Sequence, residues 1–331
     1  MARAHGYRAK LLYALEGSYG VAAVAGNFVQ LPIISTDLGG EQPLEDDDTL
    51  GLGRDPQAPT YDMLKVSGQV VVPLDLRCIG YWLQLALGVT SPSGGVDPRT
   101  HTWVSGVTSA SLPSATIEIQ FPEVPAYYLY TGVMVQSFQL SVSRSGAPQM
   151  TLQLLAQNEA QSTTSVDASP ITVTQNRFHK FEGSVQHNPG TGMASLANLV
   201  QADMTYANSL ATVDTVRADA LVEGVDAATA RLSGSLVSRL AATTLIDYAA
   251  ARTGVPLAYV YTRTGSPFDS TLTLTARAAY LPKVKRGLNG PGGVESSYAW
   301  QGAKTATGSN DEMLQVVLVN DHDSYANGTA D

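Results

Sequence analysis

The side chains of this chain that could catalyse a reaction or hold a metal are five histidines, one cysteine and scattered carboxylates. Zinc sites need ligands at fixed short spacings, such as HExxH or paired cysteines. His5, His101, His179, His187 and His322 show no such spacing. His179 and His187 flank a Lys/Glu/Ser stretch and read as solvated residues. Cys78 sits in an apolar stretch and reads as a small buried hydrophobe, so no internal disulfide is expected. No GxSxG nucleophile elbow occurs. Residues 287–293 are glycine-rich but lack the GK[ST] ending of a phosphate loop. Glu45, Asp46, Asp47 and Asp48 form an acidic run, and Asp321-His322-Asp323 is acidic too, but neither has calcium-loop spacing. The run reads as a solvated or partner-facing patch. The sequon Asn327-Gly328-Thr329 has no secretory signal to give it meaning. Catalysis needs a positioned group with a partner, and no such pair stands out. The sequence implies no enzyme, no metal and no cofactor.

The bulk properties point away from chemistry as well. A net charge of −9 argues against a nucleic-acid reader whose affinity rests on Lys and Arg at phosphates. A hydrophobic content of 44% over 331 residues suffices for one large or two medium cores. Only 15% of residues are charged, while Gly, Ser, Thr and Ala abound, a composition common in β-rich assembly proteins. No apolar run reaches the eighteen or so residues of a membrane span, and the basic start lacks the apolar region of a signal peptide.

The elements that organise the chain repeat. Residues 66–88 read VSGQVVVPLDLRCIGYWLQLALG, a strand running into a short apolar helix. Residues 232–254 read LSGSLVSRLAATTLIDYAAARTG and align without a gap, at the offset of 166 that takes Gly68 to Gly234 and Gly88 to Gly254. A second pair of segments, residues 133–157 and 279–302, aligns at the offset of 146 that takes Phe138 to Val284 and Leu154 to Trp300. Such self-similarity reads as one supersecondary unit used twice. The connection inside the second half must be shorter; matching the ATIEI run at Ala115 with the STLTL run at Ser270 accounts for only part of that.

Taken in order, residues 1–20 read as an extended arm closed by Glu16, Tyr19 and Gly20. Residues 28–35 form a short strand, placed at an edge by Pro32. Residues 37–60, rich in Gly, Pro and acid, read as a long loop that includes Arg54, of a length that is usually functional or disordered. In residues 115–121, Ile117, Ile119 and Phe121 alternate inward, leaving Thr116, Glu118 and Gln120 outward. An aromatic patch of Tyr127, Tyr128 and Tyr130 follows. Residues 133–157 form a hairpin around Ser145-Gly146-Ala147-Pro148. One of its faces is apolar; the other carries Ser137, Gln139, Ser141, Ser143, Gln149, Thr151 and Gln153 and is polar but almost uncharged. A polar linker over 158–170 divides a first unit, residues 1–160, from a second, residues 171–320. In the second, residues 210–225 read as a charged strand pair or loop, a hairpin turns around Gly290-Pro291-Gly292-Gly293, and a polar tail, 321–331, frays.

The ordered series of residues 66–88, HTWVSG at 101–106 and PSATIEIQFPEVPAYYLYTGVMVQSFQLSVSRSG at 113–146 resembles the tail tube (major tail) proteins of long-tailed bacteriophages. The opening LLYALEGSYG is similar to the start of that family. The match covers residues 7–158; the second half joins it mainly through the internal echo and lacks the aromatic patch. The resemblance implies a mainly β chain of two tandem β-sandwich or barrel modules, each with a short flanking α-helix. It implies rings that stack into a tube in the virion, assembled in the host cytoplasm, with DNA passing down the lumen without specific binding. Other copies of the chain, tail tip proteins and terminator proteins are the expected partners. With two modules per chain, three chains suffice for a pseudo-sixfold ring; six remains the alternative. On this view Glu45, Asp46, Asp47, Asp48 and Arg54 are candidates for contacts between rings, and Tyr127, Tyr128 and Tyr130 for contacts between subunits. Glu118, Gln120, Ser137, Gln139 and Ser141 are candidates for the lumen or an interface. A receptor- or carbohydrate-binding β-sandwich displaying the tyrosines, or another phage ring protein, stands as the rival reading.

Overall fold

Period-two alternation sets this fold. The computed structural model describes residues 3–47, 49–50, 53–55, 57–90, 92–94, 96–106, 112–143, 145–190, 192–265, 267–285, 293–305 and 311–327. A 3-10 turn at Gly6–Arg8 leads into β1 (Lys10–Leu15), followed by β2 (Val29–Leu31), β3 (Ser35–Thr36) and β4 (Gly39–Glu41). A small hairpin of β5 (Leu44–Glu45) and β6 (Thr60–Tyr61) precedes β7 (Lys65–Pro73) and α1 (Ile79–Leu87). β8 (Arg99–Val104), β9 (Ala115–Phe121), the long β10 (Ala126–Ser143), β11 (Gln149–Ala156) and β12 (Asn158–Ser162) complete the first half.

The second half opens with β13 (Ile171–Thr172), a 3-10 turn at Lys180–Glu182, β14 (Gly183–His187), β15 (Ala194–Ser195) and β16 (Leu199–Ala207). A hairpin of β17 (Leu210–Val213) and β18 (Gly224–Ala227) precedes β19 (Arg231–Arg239) and α2 (Thr244–Ala251). β20 (Val255–Arg263), β21 (Ser270–Tyr280), β22 (Glu295–Ala303) and β23 (Leu314–Asn320) end the chain's regular structure. α1 and α2 are the only α-helices among the described residues. Every residue of α1 is buried, as expected of a helix that is apolar all round. Gly88 ends it at φ 109°, where a side chain would be strained.

One antiparallel sheet runs β7–β11–β10–β16–β19–β22, with β3 and β4 on the outer edge of β7. A second sheet runs β13–β2–β1–β9–β10–β12, with β13 and β2 parallel. A third runs β15–β14–β20–β21–β23–β8. β10 belongs to two sheets: it bends at Gly132 (φ 65°), pairing before the bend with β9 and β12 and after it with β11 and β16. β21 does the same, ending against β22. The apolar faces of all three sheets and α1 meet in one core that includes Trp82, Trp103, Phe138, Tyr259 and Trp300. Among the described residues three strand pairs tie the halves: β10–β16, β23–β8 and the short parallel pair β13–β2.

The registers of the two halves repeat. Gly68 pairs with Leu154, and Gly234 with Trp300. Met134 pairs with Leu155, and Tyr280 with Gln301. Gly39 pairs with Ser67, and Thr205 with Ser233. Leu44 pairs with Tyr61, and Leu210 with Ala227. A register shift falls between Tyr130 and Val133 in the β9–β10 pair, and between their counterparts Ala276 and Ala279 in β20–β21. By pairing, the counterpart of β9 is therefore β20, and the STLTL run matches the start of β10 rather than the ATIEI run. Residues 89–114, which contain β8 and lie between α1 and β9, have no counterpart, since α2 leads almost directly into β20; counted from the register shift, the β20–β21 connection is six residues longer than that of β9–β10, which leaves the net difference of 20 between the two offsets.

Several expectations change. Residues 10–15 are no free arm: β1 runs between β2 and β9 with Leu11, Leu12 and Tyr13 buried. β2 is paired on both sides and is not an edge strand; Pro32 follows its end. His187 is buried against Tyr248, 2.6 Å from its hydroxyl, and is not a solvated residue. Residues 37–60 are not a structureless loop: β4 pairs with β7, where Leu38 enters the core, and β5 pairs with β6. The 158–170 segment begins as β12 on β10, and its Ser165 and Val166 pack over β9. The tail does not fray over 321–327. His322 and Tyr325 are buried, Arg77 pairs with Asp321, and the Asn327 amide bonds both backbone groups of Leu15 at 2.7 Å. The hairpin expected around residues 290–293 and the sequon's Gly328 and Thr329 lie outside the described residues.

Candidate assembly surfaces

The face of the long sheet turned away from the core is built of short polar side chains in lateral rows. One row reads Val71, Thr151, Gln139, Thr205, Ser233, Gln301 across β7, β11, β10, β16, β19 and β22. The next reads Ser141, Asp203, Ser235, Ala299, and Ser137 lies beside Gln153 and Ala207. Strand alternation puts Phe138 and Leu140 into the core and Ser137, Gln139 and Ser141 on this face. Gln139 is exposed; Ser137 and Ser141 are half-buried. The side chains bond one another: Gln153 Nε2 donates to Gln69 Oε1 at 3.0 Å, and Gln201 Nε2 and Ser235 Oγ donate to the Asp203 carboxylate at 2.9 and 3.0 Å. Asp203 is the one charge in these rows, and its neighbours solvate it. These central rows offer no fixed cation to a phosphate, whereas at the margins the Ser137 row runs on to the exposed Arg231 opposite Ala207, and Arg239 is paired with Glu295.

Glu118 and Gln120 do not join it. The Glu118 side chain is buried and accepts from Ser165 Oγ (2.8 Å), the Val166 N–H (2.7 Å) and Gln120 Nε2 (2.5 Å). The alternation of β9 is real, but both of its faces are covered, one by the core and one by residues 165–167, which no local pattern places there. Tyr130 is also internal: it is 3% exposed, its hydroxyl donates to the Leu38 carbonyl at 3.0 Å, and burial pushes its phenol pKa up. It therefore cannot form a subunit contact. Tyr127 and Tyr128 remain half-buried at the surface, Tyr128 edge-on to Phe121 with ring centroids 6.1 Å apart.

The acidic run belongs to a projecting arm. Glu45 lies on β5 opposite Thr60; Glu45, Asp46 and Arg54 are exposed. Asp47 is half-exposed and accepts from both the hydroxyl and the N–H of Thr49, which holds its carboxyl below the usual range. Asp48 lies outside the described residues. The same arm carries exposed apolar side chains: Leu44, Leu50 (94% exposed) and Tyr61. β17 and β18 form a second arm, with Val216 fully exposed. Extending the sequence echo upstream would have found this arm, since the offset of 166 takes Asp37 to Asp203 and Leu44 to Leu210.

The sequence also missed a buried aromatic cluster. His101 Nε2 bonds the His322 carbonyl at 2.9 Å, Tyr81 OH bonds His322 Nε2 at 3.1 Å, and Tyr325 packs against His101 and Trp103. Burial holds the His101 imidazole below its ordinary pKa. Each ring has a structural partner, so the histidines fasten the tail to the first half. Among the described residues, no group of three His, Cys, Asp or Glu is placed to hold a metal, and no helix is long and apolar enough to cross a membrane.

The opening LEGSYG motif is a clamp. The Glu16 carboxylate accepts from the N–H groups of Gly20 (2.9 Å) and Gly132 (2.8 Å) and the hydroxyls of Ser114 (2.6 Å) and Thr116 (3.0 Å), fixing the bend of β10. The described residues thus combine a sheet face of mostly uncharged polar side chains, two arms with apolar tips and a sheet that crosses both halves. No curated protein matches the sequence. The family model described as phage tail tube protein does match, over residues 6–302, and the chain belongs to that family of structural proteins of the bacteriophage tail.

Proposed function

We propose that each half of the chain is one tail-tube module arisen by duplication, that three chains close a ring of six modules, and that stacked rings form the conduit through which DNA leaves the particle. The observation that carries this reading is the repeated register. Gly68 with Leu154 and Gly234 with Trp300 are the same pair twice, and the bulge beside Gly132 recurs at Ala276 and Ala279. Shared alternation alone would not reproduce both register and bulge.

The neutral polar face lines the lumen, with Ser137, Gln139 and Ser141 near its centre. Together with a net charge of −9 it lets DNA pass without sticking, because the counterion release that drives phosphate binding needs Lys and Arg. The two arms reach the next ring, with Glu45, Asp46, Asp47, Asp48 and Arg54 at that contact, and Tyr127 and Tyr128 pack between subunits. Tail tip and terminator proteins cap the ends, and assembly takes place in the host cytoplasm.

Electron micrographs of the purified protein test the reading. Long uniform tubes whose rings contain three chains support it. A protein that stays monomeric and binds on a glycan array would favour the carbohydrate-binding alternative.

A further inference from the structure

The β10–β16 pair inside the chain joins the first half to the second, and the duplication just proposed gives each of its strands a counterpart. The counterpart of β16 is β3 with β4, since both lie on the same edge of equivalent strands, β19 and β7. The counterpart of the second part of β10 is the segment that follows β21, since Met134 with Leu155 and Tyr280 with Gln301 are the same pair. Neither counterpart has the partner that its equivalent has. β4 is paired on one side only, with β7. Residues 281–285 form no strand, leaving residues 295–299 of β22 paired on one side only, with β19.

We infer that these two unfilled edges fill each other between copies of this chain, and that the register can be read from the intramolecular pair. Ser137 opposite Ala207, Phe138 opposite Tyr206 and Gln139 opposite Thr205 become Lys283 opposite Glu41, Val284 opposite Gly40 and Lys285 opposite Gly39 of the next copy. The inference rests on the duplicated-module reading.

Four features fit. Lys283, Lys285 and Glu41 are exposed, and the register sets Lys283 against Glu41. Val284 takes the place of the inward-facing Phe138 and is half-buried. Pro282 falls where Gln136 forms the unpaired bulge residue of β10, a position that tolerates a missing N–H. Finally, the outward N–H of Gly40 is held at 2.6 Å by the Glu159 carboxylate of β12. That side chain stands where an incoming strand's carbonyl would sit, and it blunts the edge until assembly.

Cysteine cross-linking tests the register, because Cys78 is the sole cysteine and is buried. Opposed residues of an antiparallel pair have Cα atoms about 4.5–5.5 Å apart, within disulfide reach. Under mild oxidation, a mixture of the Glu41→Cys and Lys283→Cys variants should give covalent dimers, and the double variant should give cross-linked trimers. Pairing Glu41→Cys with Lys285→Cys, two positions out of register, should cross-link at least tenfold less. Glu41→Lys should block assembly and Lys283→Glu in the same chain should restore it. Tubes that form normally without the Glu41–Lys283 cross-link, or that cross-link Glu41→Cys to itself, would overturn this register and leave the tail-tube reading standing. Failure of the unmodified chain to form any ring would overturn both.

Discussion

Gly68 and Gly234 show most directly what single residues contribute. A Cβ on Gly68 would lie 2.4 Å from the Leu38 Cα, and one on Gly234 would lie 2.1 Å from the Asp203 carbonyl oxygen. Backbone cannot yield as a flexible side chain does, so Gly68→Ala and Gly234→Ala should each destabilise the chain by about 1–3 kcal/mol in urea unfolding. An unchanged midpoint would mean that the close approach does not matter. Glu118 is another such residue. Glu118→Ala removes the acceptor of the part-buried Val166 N–H and one acceptor of the Gln120 amide, while the Ser165 hydroxyl keeps the Asp167 carbonyl. It should cost about 1.5–3 kcal/mol, whereas a lumen-facing glutamate would cost almost nothing. His101 sets a pH dependence. Its folded-state pKa lies below the unfolded one because burial disfavours the cation. Its contribution is therefore whole above about 6.5 and is lost as pH falls through that value. Between pH 7.5 and pH 5.5 the melting temperature should fall further for the native chain than for His101→Gln; equal falls would remove His101 from the account.

Among the elements, period and punctuation made most strands legible. The β10–β11 hairpin lies where Phe138, Leu140, Met150 and Leu152 alternate around Gly146, and α1 ends at Gly88 as expected. Coverage was the part that local sequence could not supply. β9 alternates like a half-exposed strand, yet a segment some 45 residues later covers Glu118. Likewise the tail reads as polar and free, yet Tyr325 fills the space that Gly80 leaves open: a Cβ there would meet the Tyr325 ring at 2.0 Å. Such contacts link residues far apart in sequence, so local pattern does not encode them. The arms give the test at this scale. Replacing residues 46–59 by a short turn should leave the melting temperature within a few degrees, since none of its described residues belongs to the core. It should abolish long tubes in micrographs while leaving single rings. Normal tubes from that variant would exclude the arm from ring stacking.

For the whole molecule, the proposed assembly rests on the sheet that passes from β7 to β22 without a break. A surface of Ser, Thr and Gln spread over six strands from both halves is larger than a ligand site needs and too neutral for a nucleic-acid reader. Its ends are unfilled strand edges, which isolated proteins keep guarded and assemblies use. The central claim is that one chain supplies two of the six positions around a ring. Electron cryomicroscopy of tubes formed by the purified protein, averaged in cross-section, tests that claim most directly. The account predicts six lobes per ring built from three chains, alternating between seams within and between chains. Six whole chains per ring, or a ring whose lobes share no common sheet, would contradict it.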